Sequence, residues 1–168
     1  MTTKFSRCWQ HLKRNPFRQQ LNGEMSSRLT QVISQSELGH RCEIRLVIEA
    51  RLPLLLAWKG LSARERAVQW FSDLRVWDTE CNTGMVLYLL LAERKIELVA
   101  DRGIAACVPQ KQWDQICQQL QNHLAASQAE AGLTEALKAL GQLLQQHFPL
   151  ACTQANPDEL SNEPVIIA

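Results

Sequence analysis

The sequence predicts an α/β domain built on a mixed sheet, and three features of its hydrophobic pattern carry that prediction. Residues 41–51 alternate as a half-buried strand does, residues 85–92 form an unbroken apolar run, and a helical pattern over 63–75 lies between them. Strands joined through a helix run parallel, by a right-handed crossover. A third strand follows the apolar run after only Glu93 and Arg94, which makes a β-hairpin.

Taken in order, the chain opens on a basic lead, residues 1–25. Phe5, Trp9 and Leu12 fall at near-helical spacing, and Pro16 stops the pattern. The expectation is a short helix packing that stripe on the body, ahead of a membrane-surface or partner-binding arm. A second helix runs from 26 or 27 to 37 with Leu29, Val32 and Ile33 on its apolar face, and Gly39 is its stop. In the first strand Cys42, Ile44, Leu46 and Ile48 point one way. Glu43, Arg45, Glu49 and Arg51 point mostly the other, which predicts one solvated face. Residues 52–61 read as an apolar link.

Ser62-Ala63-Arg64-Glu65 is a capping box, in which the hydroxyl accepts from a first-turn amide and the carboxylate reaches back. Ala67, Val68, Phe71 and Leu74 then mark a buried stripe. After the turn-rich stretch 77–84, the run 85–92 reads as a central strand buried on both faces. Ile96, Leu98 and Ala100 alternate with Lys95 and Glu97 in the hairpin's return strand. Pro109 opens a helix that buries Trp113, Ile116, Cys117, Leu120 and Leu124. A last helix, about 132–147, buries Leu133, Leu137, Leu140 and Leu144, and Phe148-Pro149 closes it. The body therefore spans 26–149, and 150–168 reads as a flexible tail.

Composition narrows the function classes. The chain has 168 residues and a formal net charge of +1, which gives no global signature of nucleic-acid binding. Its longest apolar run is far short of the roughly 20 residues that span a bilayer, so no transmembrane segment is expected. The six cysteines form no C-x-x-C pair, and the basic start leads into no apolar signal region. Free thiols and a cytoplasmic location are the expectation.

Chain direction then gathers polar residues. With the first two strands parallel and the third antiparallel, the starts of the first two and the end of the third share one end of the sheet. Glu37 and His40 precede the first strand, Asp78, Glu80 and Asn82 precede the second, and Asp101, Arg102 and Gly103 follow the third. Hard cations such as Ca²⁺ or Mg²⁺ take several oxygen ligands from loops. Asp78, Glu80 and Asp101 are the candidate metal ligands, with Glu37, His40, Asn82, Arg102 and Gly103 as further members of the site. Arg102 can grip an anion as a fork, and glycine at 103 lets the backbone approach closely. Glu49, Arg51, Glu93 and Arg94 at the opposite end read as surface pairs. Cys81 is the only thiol in the candidate loops, and no base stands beside it. No EF-hand, H-E-x-x-H or P-loop occurs, and no organic cofactor is expected.

Specific strings carry a resemblance. The run from Arg64 to Phe71, then Val76-Trp77-Asp78-Thr79-Glu80, Asn82-Thr83-Gly84, and Val99-Ala100-Asp101-Arg102-Gly103-Ile104, resembles the TPM domain family. The Trp113 helix and the closing Gly132…Leu144…His147-Phe148-Pro149 do so too, over about residues 26–149. The resemblance is to short bacterial members, and it implies a three-layer α/β/α sandwich with helices on both faces and Ca²⁺ binding. Where longer members open with an Asp-x-Ala-Gly-type segment, this chain has Ser36-Glu37-Leu38-Gly39-His40. Two functions follow from the resemblance and the clustered loops. The first is a metal-binding regulatory module, with LemA-like membrane proteins as family-level partners and the charged face of the first strand as part of the docking surface. The alternative is a metal-assisted phosphatase. There Asp78, Glu80 and Asp101 would hold the ion, Arg102 would steady developing charge and His40 would move the proton.

Overall fold

The computed structural model describes residues 4–12, 17, 21–150 and 159–167. Among the described residues four strands form one sheet in the order β3-β2-β1-β4, where β1 is Glu43–Glu49, β2 Gly84–Leu90, β3 Lys95–Ala100 and β4 Val165–Ile167. The crossover is parallel, with Glu43 opposite Gly84 and Glu49 opposite Leu90. The hairpin is antiparallel, with Met85 opposite Ala100, and Arg94 takes the left-handed conformation at its tip.

Helices cover both faces, as the three-layer sandwich requires. On one face Ile44, Leu46 and Ile48 of β1 and Met85, Leu87 and Leu89 of β2 form a single core with four helices. These are α2 (Gly23–Glu37), α5 (Arg102–Ala105), α6 (Gln110–Ala125) and α7 (Ala129–His147). The other face packs Val47, Val86, Tyr88 and Leu90 against α3 (Leu54–Lys59) and α4 (Ala63–Asp73), with α1 (Lys4–Leu12) resting on α3. The capping box at Ser62 and Glu65 is present in both directions.

Several sequence expectations are corrected by this second layer. All of β1 is buried, including Glu43, Arg45 and Glu49, so its polar side is no solvated docking face. Alternation of polar and apolar residues reports two environments, and here the second is a set of buried partners. Glu49 is 1% exposed and receives Arg66 bidentately, Nε at 2.9 Å and Nη2 at 3.0 Å. Trp70 Nε1 and the Tyr88 hydroxyl also donate to it, at 3.2 and 2.8 Å. Glu93 is likewise more than a surface pair, since it accepts from Arg7 Nε at 2.7 Å and His11 Nε2 at 2.8 Å.

The tail expectation fails at 165–167, which pair parallel with Val47–Glu49 as β4, and the Ala50 amide donates to the Ile167 carbonyl at 2.8 Å. Residues 151–158 lie outside the described residues. The apolar link contains α3, closed by Gly60 at φ 87°. The lead does not end at 25: Asn22 caps α2 by accepting from the Met25 amide at 2.9 Å. In α1 the buried side is polar, not aromatic. His11 is fully buried, accepting from the Leu52 amide at Nδ1, while Phe5, Trp9 and Leu12 are exposed. Val68, expected in the buried stripe of α4, is exposed as well.

Candidate functional site

The register sets the starts of β1 and β2 and the end of β3 on one rim, as chain direction requires. Two threonines tie the turn before β2 to the start of β1. Thr79 Oγ1 accepts from the Thr83 amide at 2.9 Å, and the Thr83 hydroxyl donates to the Arg41 carbonyl at 3.0 Å. The Glu43 amide then donates to the Thr83 carbonyl at 3.1 Å. Both threonines are buried, and neither was singled out from the sequence; the i, i+4 threonine spacing was the available signal.

From the third strand, the Asp101 amide donates to the Gly84 carbonyl at 2.9 Å, and Asp101 caps α5, its Oδ1 accepting from the Arg102 amide at 2.7 Å. Arg102 reaches across to Asn82 Oδ1 through Nε at 3.3 Å and Nη2 at 3.1 Å. Asn82 sits in the left-handed region at φ 54°, and its carbonyl accepts from the Gly103 amide at 3.2 Å. A Cβ on residue 103 would lie 2.5 Å from the Asn82 carbonyl oxygen and 3.0 Å from that of Cys81, so only glycine fits unshifted. Four of the expected residues, Asn82, Asp101, Arg102 and Gly103, are thus brought together.

The strings that build this rim match a known family profile, that of the TPM domain, over residues 16–143. The chain belongs to the TPM domain family. Among solved structures, the NMR structure of the BA42 protein from the psychrophilic bacterium Bizionia argentinensis is similar, with a TM-score of 0.76. At 22% identity, over 87% of this chain and 94% of that one, the likeness is one of fold. No curated protein matches the chain.

Within the TPM domain the remaining candidates divide. Asp101 Oδ2 is buried and has no hydrogen-bond partner among the described residues. Asp78 and Glu80 are exposed, and the Glu80 amide donates to Glu159 Oε2 at 2.9 Å, a contact from the C-terminal segment that the sequence reading missed. Among the described residues no three His, Cys, Asp or Glu side chains are grouped so as to hold a metal ion, so Asp78, Glu80 and Asp101 are not preassembled as a ligand triad. Asp101 Oδ2 and the carbonyls of Cys81 and Asn82 beside Gly103 are hard oxygens on this rim. That is the donor class Ca²⁺ and Mg²⁺ take.

Glu37 and His40 complete the start of β1. Strand β4 reaches only Val47–Glu49, so it leaves the first part of β1 without a strand neighbour on that side. Glu37 Oε1 accepts from the Ile44 amide at 2.8 Å, and His40 Nδ1 accepts from the Cys42 amide at 3.2 Å. Burial lowers the His40 pKa to about 4. The ring is therefore held neutral at pH 7, and its Nδ1 lone pair is engaged by the Cys42 amide.

The folded pKa of His40 lies below the ordinary 6.5, so the unfolded chain binds the extra proton first. Its contribution to stability is complete above pH 6.5 and is lost as pH falls toward 4. Urea midpoints measured from pH 8 to pH 4 should fall in that window, and His40→Gln should flatten the fall; an unchanged slope in the variant would contradict the assignment.

Burial pushes the Cys42 thiol up to about 12, with Glu43 adding to the effect, and Cys81 is exposed on the turn. An open cleft of about 500 Å³ lies between β3 and α6. It is lined by Arg64, Glu97, Trp113 and Asp114 among others and reaches the rim only at Ala100 and Ala105.

Proposed function

We propose that this TPM domain is a binding module that takes a hard divalent cation, Ca²⁺ or Mg²⁺, at the rim where β1 and β2 start and β3 ends. The observation that supports this reading is Asp101 Oδ2, a carboxylate oxygen buried without a hydrogen-bond partner among the described residues. An unsatisfied buried polar atom is costly, and a cation relieves that cost. Asp101 and the carbonyls of Cys81 and Asn82 would hold the ion, with Asp78 and Glu80 available from the exposed turn. A bound ion supplies positive charge that draws the turn and the end of β3 together. Asn82 Oδ1 already accepts from Arg102, so the ligand count from protein is low and the affinity is expected to be weak.

Binding is favoured over the phosphatase reading because the His40 Nδ1 lone pair is engaged by the Cys42 amide and, among the described residues, no carboxylate triad is assembled to hold a catalytic ion. No helix of the described residues is long and apolar enough to cross a membrane, and the five described cysteines are free thiols. A reducing, cytoplasmic setting accords with that reading. A LemA-like membrane partner is an expectation of the resemblance alone.

The test is a Ca²⁺ or Mg²⁺ titration followed by amide chemical shifts, on the wild type and on Asp101→Asn. Shifts confined to residues 78–84 and 101–104, with apparent affinity reduced about tenfold or more in the variant, are the expected result. No shift in that region, or identical titrations of the two proteins, removes the site. Turnover of p-nitrophenyl phosphate that rises with metal and is lost in Asp101→Asn would restore the hydrolase reading.

A further inference from the structure

Six large apolar side chains stand exposed on just two short helices: Phe5 76%, Trp9 63% and Leu12 53% on α1, and Leu54 46%, Leu55 63% and Trp58 43% on α3. The two helices pack together, and the Phe5 and Trp58 rings meet edge to face with centroids 5.2 Å apart, so the two stripes adjoin.

This orientation is the reverse of an ordinary surface helix, which turns its apolar face inward. The polar side of α1 is what docks. Arg7 donates to Glu93 and to the carbonyls of Ala57 and Leu61, and His11 bridges Glu93 and the Leu52 amide. Three sets of directional bonds therefore hold the aromatic stripe outward.

Charge identifies the occupant. α1 and α3 carry no Asp or Glu, and of their bases Lys4 and Lys59 are exposed while Arg7 is turned inward onto Glu93. Lys4 on α1 and Lys59 on α3 stand beside the two stripes, and Lys4 Nζ lies 5.9 Å from the Trp58 ring centroid. We propose that the α1–α3 face is a docking surface for an anionic lipid membrane. Tryptophan, phenylalanine and leucine with flanking lysine are what a helix lying in the headgroup region presents, with aromatic rings at the interface and bases toward anionic lipid. A second copy of this chain fits the face poorly, because a two-fold contact would set the same bases against one another.

The experiment uses the whole protein and vesicles of phosphatidylglycerol mixed with phosphatidylcholine, against vesicles of phosphatidylcholine alone. Co-sedimentation with the anionic vesicles only, a blue shift of tryptophan emission, and release as salt rises from about 50 to about 500 mM are expected. Phe5→Ser with Trp9→Ser should lower partitioning about tenfold or more. Lys4→Glu should lower it about fivefold or more, as expected for roughly 1 kcal/mol per base. All of these side chains are exposed, so circular dichroism and the urea midpoint should match the wild type. No binding to anionic vesicles overturns the proposal, and so does unchanged binding by the double variant. Sedimentation equilibrium showing a wild-type dimer that the double variant abolishes would also overturn it, in favour of a second copy as occupant.

Discussion

Replacing Glu49 by alanine should destabilise the protein by about 3–5 kcal/mol, read as a fall in the urea midpoint at constant slope. The carboxylate is buried in the middle of the second layer, and four donors converge on it: two from Arg66, one from Trp70 and one from Tyr88. Arg66 also lies over the Trp70 ring, 4.7 Å from its centroid, so the guanidinium is fixed by its neighbours and cannot follow a lost partner into water without disturbing them. Removing the carboxylate leaves a half-buried cation, an indole N–H and a fully buried phenol without an acceptor. Tyr88 cannot take over as an anion, since burial, with Glu49 adding to it, raises its pKa far out of range. Glu49→Gln keeps the shape and loses the charge, and should fall between wild type and alanine. Tyr88→Phe removes one donor and should cost about 1 kcal/mol. An alanine variant within 1 kcal/mol of wild type would mean that this network contributes nothing net to stability.

Gly84→Ala should destabilise by about 3 kcal/mol or more, at or beyond the upper end of ordinary overpacking. The backbone at Gly84 does not take a left-handed conformation, so the effect is one of contact. A Cβ there would run into the backbone carbonyl of Val76 and lie 2.8 Å from Val76 Cγ1. Val76 is fully buried, and its amide donates to the Phe71 carbonyl at 2.9 Å, so the end of α4 rests directly on the first residue of β2. Neither side of that contact can yield, because β2 is central and Gly84 is paired with both Glu43 and Asp101. Thermal melts of Gly84→Ala beside Gly23→Ala, where an added Cβ meets nothing within 4 Å, provide the comparison. Equal melts would show that the turn does not seat on the strand as described.

The sequence sufficed for the frame because the frame is local. The capping box at Ser62, the unbroken apolar run of β2 and the short hairpin connection, four residues (91–94) where the sequence predicts two, each report on their own neighbours. Parallel β1 and β2 then follow from the helix between them, and with that the meeting of Asn82, Asp101 and Arg102 on one rim. Family strings spread along the same segments pointed to the TPM domain for the same reason.

Tertiary structure alone decided which polar residues meet water. Glu43, Arg45 and Glu49 have the pattern of a solvated face, yet Arg66 from α4 and the backbone of Leu160 turn that side into buried polar contacts. His40 and Glu37 looked available for chemistry, and their lone pairs go to the amides of Cys42, just before β1, and Ile44, within it. The stripe of α1 read as a packing face, and it faces outward because Arg7 and His11 find stronger directional partners beneath. Periodicity records that a residue differs from its neighbours. Whether that difference is met by water or by a buried partner depends on residues distant in sequence, which only the assembled fold brings near.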